Sequence, residues 1–102
     1  MIIIKSEIGD KLRELRKLEK QTLSTVSEIN QIDLTLLSKI ERGERLPTSD
    51  QVEKLAKHYG CDEKQLKTTL IAEKIIKEYG ISEETNKAIG IVKEHVEKYL
   101  KK

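Results

Sequence analysis

The chain has no tryptophan and no phenylalanine, and only one proline, one cysteine and one methionine among 102 residues. With so few aromatics a thick sheet sandwich lacks its usual filling. A balance of 36% apolar and 37% charged residues suits short amphipathic helices better. The lone Cys61 allows no internal disulfide and no Cys/His cluster has zinc-type spacing, so the expected setting is a reducing cytoplasm without a structural metal. Long apolar runs are missing as well. The opening MIIIK is too short for a signal peptide or a membrane span, and no later run approaches that length. An excess of one charge is also absent. Residues 1 to 47 hold nine Lys/Arg against eight Asp/Glu, and residues 48 to 102 hold eleven against ten, so net charge by itself names no nucleic-acid partner.

Catalytic signatures are lacking too. His58 and His95 stand far apart with no carboxylate or Cys at ligand spacing, which leaves them surface or packing roles. Cys61 fills a small apolar slot between Gly60 and Asp62. No nucleophile, base and orienting group recur at a plausible spacing, and no Gly-rich loop cradles a phosphate. Neither an enzyme nor a cofactor or small-molecule ligand is expected.

What is present is helical punctuation, at a length that supports one domain and an appendage. Ser6 caps a first helix carrying Ile8, Leu12, Leu15 and Leu18, which runs to about Lys20. Thr22 caps a short second one with Val26 and Ile29, ended by Asn30 and Gln31. Asp33 caps a third holding Leu37 and Ile40, closed by Gly43 and Pro47. A fourth opens at Ser49, carries Val52, Leu55, Ala56 and Tyr59, and stops at Gly60. Asp62 with Gln65 reads as a capping box for a fifth, along which Leu66, Leu70, Ile71, Ile75, Ile76 and Tyr79 lead to Gly80. Ser82 caps a sixth with Ala88, Ile89, Val92, Val96 and Tyr99, and the terminal KYLKK is expected to fray.

Helices two and three with their tight turn form a helix-turn-helix unit, in which one helix braces on phosphates while the next lies in the major groove. Such a unit needs a small residue where its helices cross, supplied by Ser27, and apolar residues behind the second helix, supplied by Ile32, Leu37 and Ile40. Leu34, Thr35, Ser38 and Lys39 are left facing outward, able to reach base edges. Lys39 can donate to guanine O6 and N7, while Leu34 or the Thr35 methyl suits a thymine methyl. Arg42 and Arg45 follow on the loop that lies beside phosphates, with Glu44 between them weakening the field.

Three segments, IGDKLRELR at 8 to 16, LLSKIERGERLP at 36 to 47 and QVEKLAKHYGCDEKQL at 51 to 66, resemble the phage-repressor and Cro-type, or XRE-like, helix-turn-helix family. The likeness covers about residues 6 to 66. It implies a partly buried ion pair between Arg16 and Glu41, and phosphate contact from Thr22 and Leu23 at the start of helix two. Leu23 replaces a polar residue common there, often Gln, which leaves backbone N–H groups and Thr22 to meet phosphate. Gln31 stands where Gly is usual. Asn30 stands where an aliphatic residue is buried, and Ile29 is expected to fill that pocket by a small change in helix phase. The tail is similar, more weakly, to small regulators found beside restriction-modification genes, which implies control of such genes.

The expected architecture is therefore all-α: a five-helix repressor-like DNA-binding domain over residues 6–70, with a C-terminal helical extension over residues 71–102. Ala88, Val92, Val96 and Tyr99 are the candidate dimerisation residues, because one short recognition helix reads few base pairs and two on a palindrome read enough. The expected function is a cytoplasmic, homodimeric regulator bound to double-stranded DNA, with no membrane partner. The rival reading is a protein-interaction module or antitoxin-like protein whose helices dock a partner and never read DNA. MIIIK is expected to be an ordered apolar arm, since three successive isoleucines avoid water.

Overall fold

The computed structural model describes residues 6–101, so the isoleucine arm predicted at MIIIK lies outside the described residues. Six helices follow one another: α1 (Glu7–Leu18), α2 (Leu23–Asn30), α3 (Leu34–Glu41), α4 (Ser49–Tyr59), α5 (Glu63–Tyr79) and α6 (Glu83–Leu100). No strand occurs among the described residues, and none of their helices is long and apolar enough to cross a membrane.

Each start is set by a side chain that accepts an otherwise unbonded N–H of the first turn. Ser6, Thr22, Asp33, Thr48, Asp62 and Ser82 fill that role in order. The reciprocal capping box forms at Thr48 and Gln51, ahead of α4, and not at Asp62 and Gln65; Asp62 accepts from the Lys64 and Gln65 N–H groups. Both pairs have the required spacing, and the returning side chain decides between them. The end of the chain also departs from expectation, since Lys98, Tyr99 and Leu100 are still helical.

The core is built by α1 to α5. Ile8, Leu12, Val26, Ile32, Leu37, Ile40, Val52, Leu55, Ala56, Leu66 and Leu70 are buried, with Leu23, Leu36, Leu46, Tyr59 and Cys61 packed around them. Burial sorts the turn residues differently from the predicted phase shift: Asn30 is buried and Ile29 is exposed. The physical reason is that Asn30 meets its own hydrogen-bonding needs. Its Nδ2 donates to the Val26 carbonyl at 3.0 Å, and its own carbonyl accepts from Lys54 Nζ at 3.3 Å. No change of helix phase is then needed.

Between α1 and α3 the backbones nearly touch. A methyl group at Gly9 would lie 2.5 Å from the Ile40 carbonyl oxygen, so only glycine lets α1 cross the end of α3. Glu73 of α5 reaches the same corner, accepting from the Ser6 hydroxyl at 3.0 Å and the Ile8 N–H at 2.8 Å. A carboxylate at a helix N-terminus opposes the positive end of its dipole, so α5 and α1 are joined electrostatically as well as by packing.

Beyond Leu70 the surroundings change. α5 runs through that position unbroken, and its continuation leaves Ile71 and Tyr79 exposed. Gly80, at φ 78° and ψ −177°, a conformation open essentially only to glycine, turns the chain into α6. No residue of α6 is buried. The projecting helix gives a radius of gyration of 15.5 Å, against about 13 Å for a compact chain of this length.

Candidate nucleic-acid interface

The turn between α2 and α3 sets the geometry of this face. Gln31 closes α2 in the left-handed region at φ 54°, ψ 45°, where glycine is the easier residue. Two contacts hold it there: the Ile32 N–H donates to the Ser27 carbonyl at 3.1 Å, and the Ser27 hydroxyl donates to the Ile32 carbonyl. A short side chain at 27 thus serves both the crossing and the turn. Asp33 then accepts from the Leu36 N–H and opens α3, whose inner side buries Leu37, Ile40 and Glu41.

A shallow hollow lies between the start of α2 and the outer side of α3, lined by Thr22, Leu23, Ser24, Leu34, Thr35, Ser38 and Arg42. Five of the seven DNA-contact residues expected from sequence, Thr22, Leu34, Thr35, Ser38 and Arg42, come together here. Lys39 is half-buried and Arg45 exposed, and neither lines the hollow. Ser24 was missed by sequence reading. Its only signal is its place two residues after the Thr22 cap, where a short hydroxyl on the first turn stays exposed.

The hollow combines few kinds of chemistry. Thr22 accepts from the Thr25 N–H at 3.1 Å, which fixes its hydroxyl at the positive end of α2. Leu23 tucks half-buried against the core, so the side chain that cannot donate to phosphate packs inward instead. Leu34 stays 45% exposed, an apolar group at the first position of α3 with room for a partner. Arg42 caps α3 and pairs with Glu44 at 2.8 Å, both side chains being largely in solvent. Such an exposed pair contributes little to stability, and a phosphate can compete for the arginine. Gly43, at φ 79°, lets the loop turn directly after Arg42, and the Glu44 and Arg45 N–H groups donate back to the Lys39 carbonyl.

Behind this surface stands the Arg16 to Glu41 pair. Arg16 Nε meets Glu41 Oε2 at 2.9 Å and Nη2 meets Oε1 at 2.9 Å, while Nη1 donates to the Gln21 carbonyl at 3.0 Å. The side chains are 14% and 4% exposed. The hydrogen bonds to Glu41 raise the Arg16 pKa further above its ordinary value, against the opposing effect of burial. One guanidinium thereby joins the end of α3, the loop before α2 and α1 into a single support. Tyr59 adjoins it, its hydroxyl pushed up to about 12 by burial and then by the Glu41 charge.

Other chemistry-bearing residues do not converge. No group of three or more His, Cys, Asp or Glu suited to a metal occurs among the described residues. Burial raises the Cys61 thiol, away from thiolate reactivity. The four dimerisation candidates, Ala88, Val92, Val96 and Tyr99, are all exposed on α6. A family model described as a helix-turn-helix domain matches residues 9–69, from the first turn of α1 into α5. No curated protein and no solved structure matches the chain.

Proposed function

The chain belongs to the helix-turn-helix domain family, and from that premise we propose that it is a sequence-specific transcription regulator binding a palindromic operator in double-stranded DNA as a homodimer. The observation that carries this reading is the hollow, where the fixed Thr22 hydroxyl, the exposed Ser24, an exposed leucine, the outer residues of α3 and an arginine meet on one side. α3 is the recognition helix. Leu34 and the Thr35 methyl lie against thymine methyls, while Ser38 and Lys39 reach polar base edges. Thr22, Ser24 and the first N–H groups of α2 hold phosphate on one side of the groove, and Arg42 and Arg45 hold it on the other.

The near-even charge of the chain does not oppose this reading, because a few fixed phosphate contacts in register supply the attachment. An eight-residue α3 spans roughly 12 Å and reads only a few base pairs. Useful specificity then needs two copies on half-sites about 34 to 36 Å apart. The likeness of residues 6 to 66 to XRE-like repressors supports occupancy of an operator as the mode of regulation.

Gel-shift selection from fragmented genomic DNA tests the reading. Recovery of a short inverted repeat, protected over two successive turns, is expected. Failure to retain any fragment at low salt would overturn DNA binding and return the chain to the partner-docking class.

A further inference from the structure

On α5 an acid precedes a lysine by four residues twice, the spacing at which the two side chains meet on a helix. Glu63 and Lys67 do meet, at 3.4 Å. Glu73 and Lys77 do not, because both oxygens of Glu73 are taken at the start of α1, Oε2 by the Ser6 hydroxyl and Oε1 by the Ile8 N–H. Among the described residues no other carboxylate pairs with Lys77 either. Lys77 turns instead to the loop after α3, where its Nζ donates to the Glu44 carbonyl at 3.4 Å.

That neighbourhood is fixed by packing. Gly43, in the same loop, lies so close to the start of α1 that a methyl group there would stand 2.8 Å from the Ser6 Cβ. Ser6 is held in turn by Glu73, one helical turn before Lys77. The loop, the start of α1 and the second half of α5 thus form one corner, and the corner borders the surface on which Arg42 meets the hollow.

Charge at this corner is unevenly used. Arg42 and Arg45 are exposed, but Glu44 between them pairs with Arg42 at 2.8 Å and offsets one of the two positive charges. Lys77 restores it. Its bond to the loop is made to a neutral carbonyl, so the exposed ammonium keeps its whole charge and two further N–H donors for an anion. A lysine meets phosphate as a point charge, with little demand on angle. A DNA strand carries one phosphate about every 3.4 Å along the axis, so three cations gathered at one loop can each take a neighbouring one.

We propose that Lys77 is a phosphate contact, the third cation on the side of the groove held by Arg42 and Arg45, supplied by α5 from outside the helix-turn-helix unit. This contact rests on the DNA-binding reading above and adds to it a residue beyond the matched stretch 9–69.

Binding of the full-length protein to a short labelled duplex of mixed sequence, followed by fluorescence anisotropy from about 50 to 200 mM salt, tests the contact. Each phosphate contact adds about 0.9 to the slope of log affinity against log salt. Over that range Lys77→Gln should therefore lose about 3.5-fold less affinity than the wild type, and Lys77→Arg, which keeps the charge, should follow the wild type. An unchanged slope in Lys77→Gln would overturn the contact. A wild-type protein that binds no duplex at the low end would overturn the DNA-binding reading, and the contact with it.

A lysine that only steadied the loop would act through the two arginines. In a protein already carrying Arg42→Gln and Arg45→Gln, Lys77→Gln should still lower the slope by about 0.9, since the phosphate it loses is its own. No further change in that background would make Lys77 a positioning residue and overturn direct contact.

Discussion

Two parts of this molecule share one sequence pattern and have different surroundings. The head, α1 to α5 as far as Leu70, buries its apolar stripes so fully that Ile8, Val26, Ile40, Val52 and Leu55 are 0% exposed. The arm, the end of α5 with α6, has equally regular stripes and leaves Ile89, Val92 and Val96 in water. Periodicity therefore reports which side of a helix is apolar and says nothing of what covers it. In the head the cover is folded from the same chain. In the arm the homodimeric reading makes it a second chain, so head and arm should respond to change by different laws, one by folding stability and the other by concentration.

The largest separation of the two is expected from removing residues 82–102. Operator affinity should fall by about two to four orders of magnitude, because the second half-site is no longer tethered to the first. Thermal unfolding of the remaining head at low concentration should stay close to that of the full chain, as no buried residue is lost with α6. Fluorescence anisotropy and a melting curve on the same preparation check both statements. A truncated protein that binds as tightly, or one that no longer folds, would erase the distinction.

Within the head, Arg16→Ala should cost about 3 to 5 kcal/mol, since it leaves the Glu41 carboxylate buried without its partner. Urea denaturation reads the loss directly. A midpoint equal to wild type would mean the pair contributes nothing to folding. The contrasting pair on the arm, Lys98 with Glu94 at 3.7 Å, is exposed on both sides, and breaking it should change stability by less than about 0.5 kcal/mol.

The same division explains what could be read from sequence. Six helices, the caps at Ser6, Thr22, Asp33, Asp62 and Ser82 and the buried side of α3 follow from short-range rules, and the structure has them, whereas the cap and capping box at Thr48 were not read. The phase of the turn did not follow. Whether Asn30 or Ile29 goes inside depends on the Val26 carbonyl and on Lys54 from α4, a partner 24 residues away. The close approach at Gly9 and the grip of Glu73 on Ser6 depend equally on tertiary contacts that no local pattern encodes. On the candidate DNA face, outward positions of α3 were legible from its period, while Ser24 was not, because a serine in a first helical turn looks the same whether or not a hollow lies beside it.

High pH offers a subtler probe of the head. Tyr59 titrates at about 12 in the folded protein, against 10.0 ordinarily, so the fold retains a phenolic proton that the unfolded chain gives up earlier. Its contribution is intact below pH 10 and is lost as the pH rises toward 12, by well under the roughly 2.7 kcal/mol that two pKa units represent, because water screens the half-buried hydroxyl. Tyr59→Phe should flatten this part of the decline in a pH series of denaturation curves. An identical decline in both proteins would remove Tyr59 as its source. On the DNA face Lys39→Ala should change preference at one base position by about 1 to 3 kcal/mol. Arg42→Ala with Arg45→Ala should instead weaken all sequences alike and reduce the salt slope by roughly two. Selection from random sequences distinguishes them, and unchanged preference in Lys39→Ala would take Lys39 out of the reading set.

The smallest expected effect is the most pointed test, because it sets one chemical change at two places. Ile40→Ala in the head removes a side chain that is 0% exposed, and the cavity and lost transfer energy together should cost about 2 to 5 kcal/mol. Ile89→Ala in the arm removes the same atoms from a side chain that is 44% exposed in the single chain. Measured on dilute monomer it should change stability by less than about 0.5 kcal/mol, the range of ordinary surface substitutions. Alanine is also the better helix former, which offsets part of any lost contact. Raising the protein concentration should then bring out a difference, because whatever binds only the folded state stabilises it by mass action, and the wild type would gain a dimer contact that the variant has lost. Melting temperature against concentration would show two lines that meet at the dilute end and diverge upward. Two parallel lines, separated by the same interval at every concentration, would mean that Ile89 serves the fold of its own chain and that the arm obeys the same law as the head.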